Sequence, residues 1–179
     1  MYSIYIPLFS LFLFLYTGCS IKNKKTLDIN SDKYKINLII SKIVKNCQAK
    51  VVKDDEGSIF LENKNSYLQI DLNEKRNFNK NSTILNENSS EKLSCIIPII
   101  KENSGTNIII TGHARSSKKS KINQHISDDR AISVAEEFFN LGIRDEIYAK
   151  GCSDKKDKEN GQIEIFIYMD KTHIINHCR

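Results

Sequence analysis

Ile108-Ile109-Ile110-Thr111-Gly112-His113-Ala114-Arg115, followed after seven residues by Asn123-Gln124-His125-Ile126-Ser127-Asp128-Asp129-Arg130-Ala131-Ile132-Ser133-Val134, is the most informative part of the chain. Three isoleucines bounded by polar residues and a glycine predict a short buried strand over 108–110. Ser127 predicts a helix N-cap, with Asp128 and Asp129 in the first turn, where the helix dipole favours negative charge. Ala131, Val134, Phe138 and Leu141 recur at helical spacing and give that helix one apolar face; Gly142 stands where a glycine would end it. A strand, a polar loop and a helix start therefore meet at one end of the fold, an arrangement suited to an anionic ligand.

Within this stretch Asn123, Ile126, Ser127, Arg130, Ala131 and Val134 fall in the pattern Asn-x-x-(Leu/Ile)-Ser-x-x-Arg-Ala-x-x-Val. Together with Gly112-His113 upstream, this resembles the C-terminal, peptidoglycan-associating domain of the OmpA family, found also in Pal lipoproteins and flagellar-motor stators. The resemblance covers residues 68–169 and implies an α+β fold. Its order would be a β-α-β-α-β-β sandwich, a mixed sheet with helices on one face. It also implies that the peptide stem of peptidoglycan is held non-covalently. Diaminopimelate carries carboxylates and an ammonium, so such a pocket needs a guanidinium for the first and a carboxylate for the second. Arg130 matches the family's arginine and, near the start of its helix, would bind a carboxylate; Asn123 matches the motif asparagine and would orient the loop or the stem.

The other half of the pattern departs. Where the family reads Gly-His-Thr-Asp, this chain reads Gly112-His113-Ala114-Arg115, so a cation stands where the ammonium's partner is expected. The family's Asn-Arg-Arg before the last strand appears as Asn160-Gly161-Gln162. Asp128 or Asp129 is a candidate replacement carboxylate, against the plainer reading that both serve only the helix dipole. The implied ligand-binding set is Asn123, Arg130, Asp128, Thr111 and Arg115. Two functions follow: an attachment to the cell wall, or a degenerate module kept as a protein-binding subunit of an envelope assembly. Length, start and N-terminal elements are also similar to small lipoproteins in the outer-membrane core of Dot/Icm-type type IVB secretion machines.

Compartment is read from the N-terminus. Residues 1–15 are almost wholly apolar or aromatic and end at Tyr16-Thr17-Gly18-Cys19, which predicts a secretory signal over 1–18 and a lipidated Cys19. That places the body on the periplasmic face of the outer membrane. The n-region lacks Lys and Arg, and an uncleaved anchor is the alternative. Cys47, Cys95, Cys152 and Cys178 then remain, an even number that allows three disulfide pairings or four buried thiols. They lack zinc-type spacing, so no metal or cofactor is expected. The net charge of +5 is spread among acids, without a nucleic-acid motif, and reads as a solvated surface. His113 lies near Ser116 and Ser117 but shows no nucleophile-elbow pattern, so it is read as structural and the chain as non-catalytic.

Along the chain, 19–32 reads as a polar tether and 33–66 as a helix followed by strands. Ile36, Ile39, Ile40, Ile43, Val44 and Cys47 mark that helix, with extended pieces over 50–53 and 58–61. The OmpA-like domain spans 67–170, and 171–179 is a polar tail. Inside the domain, Leu68, Ile70 and Leu72 alternate as a strand, and Phe78 sits in a polar loop. A helix over 90–102 should kink or shorten at Pro98. Strands follow over 146–149 and 162–169, the last with both faces apolar and hence central.

Overall fold

The computed structural model describes residues 23–51, 59–64, 66–72, 76–79, 82–103, 105–114, 120–153, 161–170 and 175–178, with the backbone alone at 23–30 and 120. The signal segment, Cys19, Arg115 and the charged stretch 154–160 lie outside them. The elements are α1 (Asn23–Asn46), β1 (Phe60–Asn63), β2 (Tyr67–Asp71), α2 (Glu87–Lys101), β3 (Asn107–Gly112), α3 (Ser120–Asn140), β4 (Glu146–Gly151) and β5 (Ile163–Tyr168). They form an α+β fold around a five-stranded mixed sheet ordered β1-β2-β5-β3-β4. Only β3 and β4 run parallel, joined through α3; the other neighbours are antiparallel.

β5 occupies the centre, as its doubly apolar pattern predicts. Ile163, Ile165 and Ile167 share one face with Leu68, Ile70, Ile108 and Ile110. All three helices cover that face through Ile36, Ile39 and Ile43 of α1, Leu93, Ile96 and Ile100 of α2, and Ala131, Val134 and Phe138 of α3. The apolar stripe of α1 thus packs on its own domain rather than awaiting a partner. Burying such side chains is worth about 1.5–3 kcal/mol each, so the alternation in β2, β3 and β5 fixes their register. The opposite face carries a small aromatic cluster of Ile109, Phe166 and Tyr168 with Tyr67 against it. The tail covers this cluster: His177 stacks on Phe166 with ring centroids 3.5 Å apart and hydrogen-bonds the Tyr168 hydroxyl at 2.7 Å.

Several boundaries differ from the sequence reading. α1 begins at Asn23, inside the stretch read as tether, because once Ile36 to Ile43 are packed the polar residues before them extend the same helix. The extended piece over 50–53 reduces, among the described residues, to a bridge between Lys50 and Phe60. Asn86 caps α2 by accepting the Ser89 N–H at 2.9 Å, and Glu87 sits in its first turn. Pro98 does not end α2, which continues to Lys101 on buried Ile99 and Ile100. At the end of α3, Gly142 takes φ 91° as expected. Its N–H donates to the Phe139 carbonyl and that of Ile143 to Phe138, the double bond pattern of a Schellman stop. Leu141, read as part of the apolar face, is instead 36% exposed, since it occupies the cap where the helix turns away from the core.

Two disulfides select one of the three pairings. Cys47–Cys95 joins the end of α1 to α2, and Cys152–Cys178 joins the end of β4 to the tail. Their Cα atoms lie 5.8 Å and 5.0 Å apart.

The covered aromatic face has a pH consequence. Burial, with the nearby Tyr67 adding, pushes the Tyr168 phenol up to about 12 from its usual 10, although a main-chain hydrogen bond near Ile175 pulls the other way. A raised folded-state value means the stabilising effect is complete below pH 10 and is lost as pH rises toward 12. The unfolding free energy of wild type should therefore fall over that window more steeply than that of Tyr168→Phe. Equal slopes in denaturant titrations across the window would contradict it.

Candidate functional site

Parallel β3 and β4 end side by side, with Gly112 paired to Gly151, and α3 crosses directly over both ends. Neither position tolerates a side chain. A Cβ on Gly112 would meet the Ser127 carbonyl and lie 2.9 Å from the Ala131 nitrogen. On Gly151 it would meet the Ser127 hydroxyl and lie 2.7 Å from an Asp128 oxygen. The two glycines thus let the helix backbone sit down on the strand ends, which is what brings the motif residues of α3 to the loops.

The helix itself starts earlier than the sequence indicates. α3 begins at Ser120, so Ser127 is an interior residue whose hydroxyl donates to the Gln124 carbonyl at 2.8 Å, not an N-cap. Asp128 and Asp129 are not in the first turn, and Arg130 lies deep in the helix. The expectation that Arg130 lies near the start of its helix is therefore overturned. The carboxylate of Asp128 instead accepts from the Gly151 N–H at 2.7 Å and from Gln124 at 3.0 Å. Gln124 donates also to the Gly151 carbonyl and accepts from Ser153, completing a latch between α3 and the end of β4.

Arg130 is 4% exposed. Its Nη1 donates to the His113 carbonyl at 2.9 Å and its Nε to the Ser82 carbonyl at 3.2 Å. The guanidinium lies 5.0 Å from the centroid of Phe78. Desolvation, then the charge of Arg76, lowers its pKa, but an arginine so placed keeps its charge at neutral pH. One cation thereby ties the loop after β3 to the loop before α2. Asn123 is buried on the same helix face, seven residues before Arg130.

Under these loops lies a polar cluster. His113 Nε2 pairs with Glu164 Oε2 at 3.0 Å, and Nδ1 faces the Cys152 carbonyl at 3.2 Å. Both ring nitrogens thus face oxygen atoms of the cluster. Glu164 also accepts from Thr111 at 3.3 Å and from Gln69 at 3.2 Å. Thr111 is only 1% exposed and is spent within this cluster. His113 thus bonds at the strand end, as read from sequence. Glu164, Gln69 and Gln124 went unnoticed; a carboxylate inside the apolar run Ile163-Glu164-Ile165 was the one visible signal for the first. Asn77 completes the frame by accepting the Ile163 N–H and donating to Ser89, which fixes the Phe78 loop against β5. Arg115, the departing motif position, lies outside the described residues.

Residues 77–165 match the sequence profile of the OmpA family. No curated protein is similar enough in sequence to match the chain. Among solved structures, a MotB-like protein from Desulfovibrio vulgaris superposes with a TM-score of 0.64 at 16% identity, over 83% of this chain and 98% of that one. The cell wall anchor of the T6SS from Pseudomonas aeruginosa gives 0.53 at 17% identity, over 74% and 95%. The periplasmic domain of Helicobacter pylori MotB gives 0.52 at 18% identity, over 68% and 85%. At these identities the structures speak to the fold alone. Residues 77–165 therefore form an OmpA-like domain, lying within the β-α-β-α-β-β order from β2 to β5.

Proposed function

We propose that the protein is an envelope lipoprotein, anchored through Cys19 at the periplasmic face of the outer membrane, whose OmpA-like domain holds the peptide stem of peptidoglycan non-covalently. The observation that carries this reading is the placement of Arg130. The motif arginine reaches the ends of β3 and β4 as a desolvated, rigidly held cation, with the motif Asn123 on the same helix face. A fixed guanidinium in a poorly hydrated setting attracts a carboxylate far more strongly than one in water. Similarity to a structure named a cell wall anchor supports the same function. The role is attachment, with no bond made or broken.

A second reading has an observation of its own. Arg115 replaces the family's acid, and the Asp128 oxygen available to substitute already holds Gly151 and Gln124. On that reading the domain has given up the ammonium half of the pocket and serves as a structural, protein-binding subunit of an envelope complex such as a type IV secretion core.

Co-sedimentation of the full chain in detergent with purified diaminopimelate-type peptidoglycan separates the two. Wild type is expected to pellet and Arg130→Lys to bind about ten- to a hundred-fold more weakly, as loss of a charge-assisted, two-pronged contact predicts. Arg115→Asp is expected to tighten binding by restoring a partner for the ammonium. Wild type remaining in the supernatant while Arg115→Asp pellets would replace the wall-anchor reading with the protein-binding one. Circular dichroism of each variant checks that the fold is kept.

A further inference from the structure

Among the described residues β4 ends the sheet, and Glu146, Tyr148, Ala149 and Lys150 along it are exposed. An open strand edge exposes a ladder of main-chain donors and acceptors, and proteins usually blunt it. Here the sequence of the edge, Glu146-Ile147-Tyr148-Ala149-Lys150, is instead complementary to itself when reversed. Around a two-fold axis at Tyr148, an antiparallel second β4 sets Glu146 opposite Lys150 twice and Tyr148 opposite Tyr148. Directly opposed pairs of unlike charge and aromatic pairs are the ones that stabilise antiparallel ladders.

The helix-covered side offers a second, independent match. A groove of about 430 Å³ runs between α3 and β4, lined by Ile132, Ala135, Phe139, Ile143 and Ile147, with Arg144 over Phe139 at 4.1 Å. Ile132 is 47% and Phe139 57% exposed, unusual for large apolar residues seven apart on one helix face. α3 lies above β3 and β4, so extending the sheet across the axis with strands about 4.8 Å apart would place the two α3 helices roughly 10 Å apart. That is the spacing of packed helices. They would run antiparallel, with Ile132 of one copy against Phe139 of the other. Strand edge and helix face therefore call for the same occupant.

We propose that β4 and α3 form the interface of a symmetric dimer, in which a second copy of this chain continues the sheet through antiparallel β4 pairing centred on Tyr148. The interface lies on the side edge of the sheet, clear of Arg130, and does not depend on wall binding.

Sedimentation velocity of the full chain in density-matched detergent tests it, using charge reversals on the exposed edge that leave the core untouched. Wild type should dimerise. Glu146→Lys or Lys150→Glu alone sets like charges opposite each other at two places and should weaken association at least about tenfold. The double variant Glu146→Lys with Lys150→Glu restores both pairs and should recover wild-type affinity. Phe139→Ser should weaken association as well. Wild type that stays monomeric up to about 1 mM overturns the proposal. So does association indifferent to the single reversals, which would point to the N-terminal apolar segment instead. Failure of the double variant to recover overturns the register.

Discussion

Gly112→Val should lower the unfolding free energy by about 3 kcal/mol or more, the upper range for overpacking a filled interior. Gly112 does not adopt a positive φ, so the cost is steric rather than conformational. The added carbon would meet the Ser127 carbonyl, the Ala131 nitrogen and the Arg130 Cβ, two of them main-chain atoms that cannot swing aside. Relief would require lifting α3 off the strand ends. That would break the Gly151–Asp128 bond and withdraw Arg130 from the His113 carbonyl, so packing and site would fail together. Urea denaturation of Gly112→Ala, Gly112→Val and Gly151→Ala should rank the valine worst. A loss below about 0.5 kcal/mol, ordinary for a surface change, would mean that α3 is not seated as described.

Cys47→Ser with Cys95→Ser is expected to cost about 4 kcal/mol on the loop-entropy account, given the sequence separation of 48. For a chain of this size that corresponds to a fall of about 10 °C in Tm. The loss should not be spread evenly. α1 packs chiefly on α2 and β1, and the bridge fastens its C-terminal end to α2. Without the bridge, amide exchange should accelerate first across α1, while β3 and β5 stay protected. The pair Cys152→Ser with Cys178→Ser closes a shorter loop, with a separation of 26, and should cost slightly less. Its distinguishing mark would be exposure of the Phe166 and Tyr168 face to quenchers, since that bridge holds His177 in place.

The sheet was legible because its strands speak loudly. Runs such as Ile108-Ile109-Ile110 and Ile163-Glu164-Ile165-Phe166 have no other comfortable home than the middle of a two-sided sheet. The C-terminal stop of α3 was legible for a similar reason, since Gly142 supplies a backbone conformation that other residues avoid. Helix starts were harder. Ser127 carries every local mark of an N-cap, yet the polar residues before it are equally content in a helix, and the docking of α3 onto Gly112 and Gly151 decided the matter. Local propensity is weak beside such packing. The site was half legible. Motif spacing brought Asn123 and Arg130 to notice, but the partners of Arg130 are main-chain carbonyls of His113 and Ser82, which no side-chain pattern can announce. The disulfide pairing stayed open because it depends on which ends the topology brings together.

The placement of β5 governs how the molecule comes into being. The strand that touches both β2 and β3, β5, comes after all the other described strands. While the polypeptide emerges from its N-terminal end, the β1–β2 hairpin and the β3–α3–β4 crossover have no shared neighbour and remain two unjoined halves. Such late, long-range closure makes for slow folding. Arrival of residues 163–168 is thus a keystone event. A chain cut anywhere before it should yield no smaller stable fold, only two halves waiting for a centre.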